Sequence, residues 1–406
     1  MAVTDRRESN VRSYSRTWPV EFDRAEGVWL EAVGGRRFLD FFAGAGSLNY
    51  GHNNSVLREA LVRHLERGGT VQSLDMATTA RRAFLESFTV RVLEPQRMEH
   101  LVQFPGPAGT NAVEAALRLA RKVTKRSRVL YFEGSYHGMS LGASSVSSGS
   151  KAARDSLRFD TRAVPFATDP DSLAQLRRAL EEDSPAAVIL ETVQGEGGIR
   201  LAESSWLRAV SALCAEAGAL LVVDDIQMGA GRTGPYLSFE DTAITPDIVC
   251  LSKSLSGYGM PLSLLLIRPE HDVWLPGEFS GTFRGFDLAM VTARAALEHF
   301  WLDNALREST LALGARAIKR LRTGLEGTPA TVRGRGLAIG IELPDETWAR
   351  AVSRVAFAAG VLVETCGSHG QVVKLIPPLT ITPEELVMGI DLVLDAVVQV
   401  SAREPS

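Results

Sequence analysis

Cysteine is scarce in this chain of 406 residues. The three present, Cys214, Cys250 and Cys366, form no CxxC or CxxxC and no even set. Neither a disulfide framework nor a cysteine zinc site is expected, and a reducing, cytoplasmic setting is. Long apolar runs are missing too. No stretch of about 18 uncharged apolar residues occurs, which argues against a membrane-spanning helix. The opening MAVTDRRESNVRSYSRTW lacks the apolar centre of a signal peptide. Positive charge is not in excess: 44 Lys and Arg stand against 48 Asp and Glu, a net charge of −4. No field draws in nucleic acid. The seven histidines make no HExxH and no i, i+4 pair beside carboxylates, so spacing points to no metal site. Repeats and low-complexity tracts are absent as well. What remains is an ordinary globular balance, 45% hydrophobic and 23% charged, on a chain long enough for two or three domains.

Four continuous apolar runs stand out: SRVLYF (127–132), AAVILETV (186–193), ALLVVDDI (219–226) and DIVCLS (247–252). Each is short and bounded by turn residues or charges, as in parallel strands buried on both faces. Helical patterns such as DSLAQLRRALEED and SSWLRAVSALCAEAG lie between them. The alternation predicts an α/β domain with a mainly parallel sheet. The ends read differently. VWLEAVGGRRFLDFF is a hairpin turning at Gly34-Gly35, and beyond about residue 305 long helices accompany LAIGIELP and VVKLIPPL. A large domain over 51–305 and a smaller one built from 1–50 and 306–406 are expected. Ligands of such sheets bind beyond the carboxyl ends of the strands.

Gly229-Ala230-Gly231-Arg232-Thr233-Gly234 matches a dinucleotide fingerprint, but Pro235-Tyr236 follows where a helix should open. A better anion site is FPGPAGTN (104–111), which runs into a helix whose Val113, Ala116, Leu117, Ala120 and Val123 share one face. The amides of Gly109 and Thr110 would face outward there, with the Thr110 hydroxyl beside them. The plain alternative is a capped helix with Thr110 or Asn111 as N-cap.

Asp224 and Asp225 end a buried strand, and only one of two successive side chains faces a given side. Lys253 follows another buried strand in a loop of Ser, Gly and Tyr. Loss of solvation there lowers a lysine's pKa and makes it nucleophilic; the alternative is a surface lysine leaving the strand. An anion site, an acid and a lysine together match pyridoxal phosphate, which needs a lysine to hold its aldehyde and an acid against its pyridine nitrogen.

VVDDIQMGAGRTG, LSKSLSGYGMP, GPAGTNAVEAALRLAR and ETVQGEGGI resemble the class III, fold type I aminotransferases, in order and from about residue 10 to 395. The resemblance implies a large domain with a mainly parallel seven-stranded sheet flanked by helices, plus a smaller α+β domain. It implies that Lys253 is the Schiff-base lysine, Asp224 the partner of the pyridine nitrogen and Gln227 a donor near the ring hydroxyl. Gly109 and Thr110 become the phosphate cradle and Tyr136 the ring-stacking aromatic, while His137 and Glu191 are counted with the cofactor contacts. Thr282 resembles a threonine reaching the phosphate of a neighbouring subunit, which implies a homodimer or a dimer of dimers. Glu196 resembles the family's gate glutamate, which pairs with an arginine until the carboxylate of the substrate glutamate replaces it.

VRSYSRTWPVEF, DFFAGAGSLNYGHNN, SLDMATTA and ITPDIVCLSKSLSGYGMPLSLLLIRPEHDVWLPGEFSGTFRG are similar to one subfamily. It moves the amino group of L-glutamate to the aldehyde of L-aspartate 4-semialdehyde, for ectoine or for siderophores and peptide natural products. Where the wider family carries Arg before a Pro-Pro strand, this chain has Lys374, which lacks the bidentate fork. Arg284 is the alternative carboxylate clamp, or else a structural ion pair. The rival readings are an ω-amine transaminase on another aldehyde, an aminomutase or racemase, and a non-catalytic cofactor-binding regulator.

Overall fold

A computed structural model describes residues 2–148 and 159–402. In chain order the first strands are β1 (Phe22–Glu26), β2 (Trp29–Ala32), β3 (Arg37–Asp40) and β4 (Leu101–Gln103). Next come β5 (Val129–Phe132), β6 (Thr161–Val164), β7 (Ala187–Leu190), β8 (Val193–Gln194) and β9 (Arg200–Leu201). Then follow β10 (Leu220–Asp224), β11 (Ile248–Leu251), β12 (Leu264–Ile267), β13 (Thr331–Arg335) and β14 (Ala338–Glu342). The last are β15 (Val361–Leu362), β16 (Glu364–Cys366) and β17 (Val372–Leu375).

The architecture is α/β, around a seven-stranded sheet in the order β4-β12-β11-β10-β7-β5-β6. Its strands pair in parallel except that β12 runs against both neighbours. The four apolar runs supply β5, β7, β10 and β11, and every residue of the four is buried. That is why they read as continuous: a strand covered on both faces has no polar side to alternate with. The predicted helices form as α1 (Gly109–Thr124), α2 (Ser172–Asp183) and α3 (Ser204–Ala217). Val113, Ala116, Leu117 and Ala120 of α1 are all buried. Gly218 ends α3 with φ +60°, a turn that a side chain would strain.

The chain ends build two four-stranded sheets. One has the order β1-β2-β3-β15, and its hairpin turns at Gly34-Gly35. The other is β13-β14-β17-β16. Because β15 lies parallel to β3, residues near both termini meet in one sheet. Val28, Leu39 and Phe41 share a core with residues from Leu313 to Val400. No helix among the described residues is long and apolar enough to cross a membrane.

Candidate active site

The carboxyl ends of β5, β7, β10 and β11 open on one region, and β4 leads into it through the loop before α1. The N-cap of α1 is Ala108, which has no side-chain acceptor, so neither Thr110 nor Asn111 holds that position. Asn111 instead accepts from the Ala108 amide at 3.0 Å. Among the described residues nothing accepts from the Gly109 and Thr110 amides, which lie in the first turn where helix donors are orphaned. A Cβ on Gly109 would stand 3.0 Å from Ile226 and 3.4 Å from Ser252, so glycine lets the helix start approach the ends of β10 and β11. A Cβ on Gly138 would stand 2.8 Å from the Thr110 hydroxyl. The two sequence segments therefore converge.

Asp224 closes β10 and is buried. Its Oδ2 lies 2.7 Å from His137 Nδ1, and its Oδ1 accepts from the Ile226 amide at 3.0 Å. Asp225 turns the other way, as the pleat requires, and takes the Ser238 amide at 2.9 Å. Burial pushes Asp225 up to about 7. Burial alone would push His137 down, but its hydrogen bond with Asp224 and that carboxylate's charge leave it above its ordinary value. Its Nε2 is buried and has no partner among the described residues. Glu191, directly after β7, accepts from the amides of Tyr136 (3.2 Å) and Gly195 (3.3 Å). Burial raises it to about 8 although His137 opposes this, so it is neutral at pH 7.

Lys253 follows β11 with φ +52°, strained backbone of the kind that gathers at functional sites. Its Nζ donates to the carbonyl of Ala45 at 2.7 Å. That carbonyl comes from an unusual turn: Ala43, Gly44, Ala45 and Gly46 all have positive φ, at 46°, 58°, 55° and 82°. No carboxylate forms an ion pair with Lys253 among the described residues. Burial lowers its amine to about 8, although Glu196 acts to raise it.

From Ala45 a polar chain continues outward. Gln227 Nε2 donates to Ala45 O (3.2 Å) and to Glu196 Oε1 (3.1 Å). Glu196 lies in the turn between β8 and β9 and pairs with Lys374, a wholly buried lysine of β17. Lys374 Nζ also lies 3.1 Å from Glu364 Oε2, and Glu364 Oε1 accepts from the Tyr14 hydroxyl at 2.7 Å. Burial and then Glu364 push the Tyr14 phenol up, so it stays a donor. Burial pushes Glu196 up, but Lys374, then Lys253, outweigh that and bring it down to about 2. Burial works against the Lys374 ammonium, yet Glu196 and Glu364 raise it well above its usual range.

Lys253, Asp224, His137, Glu191, Tyr136, Gln227, Glu196 and Lys374, with the α1 start, thus form one connected region. Two candidates fall elsewhere. Arg284 pairs with Asp75 and donates to the Phe279 carbonyl at 2.8 Å, and it makes no contact with Glu196, Lys374 or Lys253. Its ion pair is the structural alternative weighed above. Thr282 is exposed. The glycine-rich decoy at 229–234 stays in turns; its Arg232 is wholly buried and donates to Leu337 O, Pro377 O and Asn49 Oδ1. That segment ties the sheet's loops to the C-terminal part. No group of three metal-binding side chains occurs among the described residues.

Three contributors escaped the sequence reading: the Ala45 carbonyl, Glu364 and Tyr14. A main-chain carbonyl has no sequence signature. Glu364 left one trace, a carboxylate inside the apolar run VLVETC, where a charge needs a partner.

The residues fit pyridoxal phosphate. Open amides stand at a glycine cradle, a carboxylate is braced by a histidine, and a lysine lies nearby with its pKa brought down. The comparisons agree. The model of the class-III aminotransferase family matches residues 11–397. A diaminobutyrate–2-oxoglutarate transaminase of Streptomyces anulatus is 51% identical, with 96% of each chain covered. One from Nocardia farcinica is 50% identical, over 96% of this chain and 92% of its own. The ornithine aminotransferase of Toxoplasma gondii, solved with partial occupancy of PLP at its active site, superposes with a TM-score of 0.88. It is 28% identical, over 99% of this chain and 94% of its own.

Proposed function

The chain belongs to the class-III aminotransferases, and on that premise we propose that it exchanges an amino group between two substrate pairs. One is L-glutamate and 2-oxoglutarate; the other is L-2,4-diaminobutyrate and L-aspartate 4-semialdehyde. The alternation is ping-pong at one site. Bound pyridoxal phosphate supplies the aldehyde that carries the amino group and a ring that withdraws electrons from the substrate. The Gly109 and Thr110 amides would hold its phosphate, joined by the Thr110 hydroxyl once that group turns from Ser140, to which it now donates. Asp224 would answer the ring nitrogen, and His137 orients that carboxylate and shares its charge. Tyr136 would cover the ring face and Gln227 would serve the ring hydroxyl, while neutral Glu191 fixes the Tyr136 and Gly195 backbone.

Lys253 would attach the cofactor, and its amine, when free, is placed to move a proton at the substrate carbon that bears nitrogen. An amine titrating near 8 is partly neutral at physiological pH, as a base must be. Glu196 guards Lys374 until a substrate carboxylate displaces it. The exposed Thr282, beside exposed Phe283 and near exposed Leu74 and Met76, supports an apolar face buried in a homodimer, with Thr282 serving the partner's phosphate. Three free, buried cysteines support a reducing compartment. On this reading residues 51–305 carry the cofactor and the gate glutamate Glu196, and 1–50 with 306–406 supply its cation Lys374 together with Glu364 and Tyr14.

The observation that carries the proposal is the joining of Asp224–His137, the α1 start and Lys253 with an identity near one half to diaminobutyrate transaminases. Its test is direct. Purified holoenzyme given L-2,4-diaminobutyrate and 2-oxoglutarate should release L-glutamate. Turnover confined to ornithine or 4-aminobutyrate would contradict it.

A further inference from the structure

Lys374 is wholly buried and touches two carboxylates, Glu196 and Glu364. One suffices for neutrality. The second adds formal negative charge to a cleft that, on the reading above, must admit the dianion 2-oxoglutarate. Buried like charges repel, and an unanswered carboxylate is costly. Glu364 is nevertheless held firmly. It opens β16 directly opposite Lys374 of β17, and its Oε1 takes the Tyr14 hydroxyl at 2.7 Å. Its Oε2 is shielded from solvent and, apart from the Lys374 ammonium 3.1 Å away, has no polar partner among the described residues. A carboxylate oxygen can accept from two donors, so Lys374 does not exhaust its capacity.

We propose that Glu364 is a specificity-determining residue that receives the non-reacting ammonium group of an amino-acid substrate. Lys374 takes the carboxylate on the same carbon once Glu196 gives way. The inference rests on the transaminase reading and says which end of the substrate the gate recognises. Lys374 and Glu364 present a cation and an anion 3.1 Å apart, the charge complement of a carbon bearing both ammonium and carboxylate. Tyr14 positions Glu364 from the rim. An ω-amino acid without the second ammonium satisfies Lys374 and leaves Glu364 unanswered, and sites that pair with a substrate group discriminate strongly against analogues lacking it.

The test compares two donors differing only in that ammonium, L-2,4-diaminobutyrate and 4-aminobutyrate, with 2-oxoglutarate as acceptor and holoenzyme throughout. Wild type should favour diaminobutyrate. Glu364→Gln, similar in shape and uncharged, should cut kcat/KM for diaminobutyrate at least about tenfold, mainly through KM. Its effect on 4-aminobutyrate should stay within about threefold, and KM for 2-oxoglutarate should not rise. Glu364→Asp, which keeps the charge, should recover part of the loss, and Tyr14→Phe should show a weaker loss with the same donor selectivity. Equal losses on both donors, or a matching rise in KM for 2-oxoglutarate, would overturn the inference and leave Glu364 a mere partner of Lys374. If wild type turned over other donors but not diaminobutyrate, the substrate assignment itself would fall and this inference with it.

Discussion

Two lysines, one partly and one wholly buried, belong to one polar chain, and the structure drives them in opposite directions. Among the described residues the Lys253 amine donates to the Ala45 carbonyl alone, and burial takes it down to about 8. Lys374 meets Glu196 and Glu364, and their charges lift it well above its usual range despite complete burial. Burial works against the ammonium in both places; the contacting carboxylates decide the outcome. One lysine is therefore made reactive and the other a fixed charge. Gln227 links the two, touching Ala45 O on one side and Glu196 on the other.

The sharpest way to break the contrast is to delete the reactive lysine. Lys253→Ala should lower kcat by about 10⁴-fold or more in steady-state transamination, while Lys374 variants keep a larger share of activity with saturating substrate. Asp224→Ala should slow the glutamate half-reaction by about 10²- to 10³-fold; unchanged single-turnover rates would remove Asp224 from its role. Lys374→Met strands two carboxylates, so urea unfolding should show a loss of roughly 3–5 kcal/mol, more than Glu196→Gln, which leaves Lys374 paired to Glu364.

A subtler test uses pH. In the apoprotein, labelling of Lys253 by an amine-reactive reagent should rise with a midpoint near 8, with Lys374 unlabelled across the range. The sign for stability follows from proton counts. Folded Lys253 releases its proton near 8, and the unfolded chain near the ordinary 10.5. The unfolded state binds more protons in between, so this group's contribution to stability rises with pH through that window. Glu196 acts on the acid side. Its folded pKa of about 2 lies below the ordinary 4.5, so its stabilisation is complete above that value and disappears as pH falls toward 2. Glu196→Gln should flatten that acid limb in thermal unfolding.

Much of this was legible in the sequence because burial writes itself in composition. The strands β5, β7, β10 and β11 showed as unbroken apolar runs, and the α1 start showed as a glycine turn before an amphipathic face. Asp224 and Lys253 were visible as charges at the ends of such runs. The gate was only half legible. Glu196 and Lys374 came from resemblance, while Tyr14 reaches Glu364 across 350 residues, a separation that no local pattern encodes. The left-handed turn at 43–46 was hidden because alanine does not announce positive φ as glycine does.

The central claim is that position 253, and not 374, holds the cofactor. Holoenzyme reduced with borohydride, digested and read by mass spectrometry tests it most directly. The pyridoxyl adduct should map to the peptide containing Lys253, leaving the Lys374 peptide unmodified. An adduct on Lys374, or none on Lys253, would contradict the account.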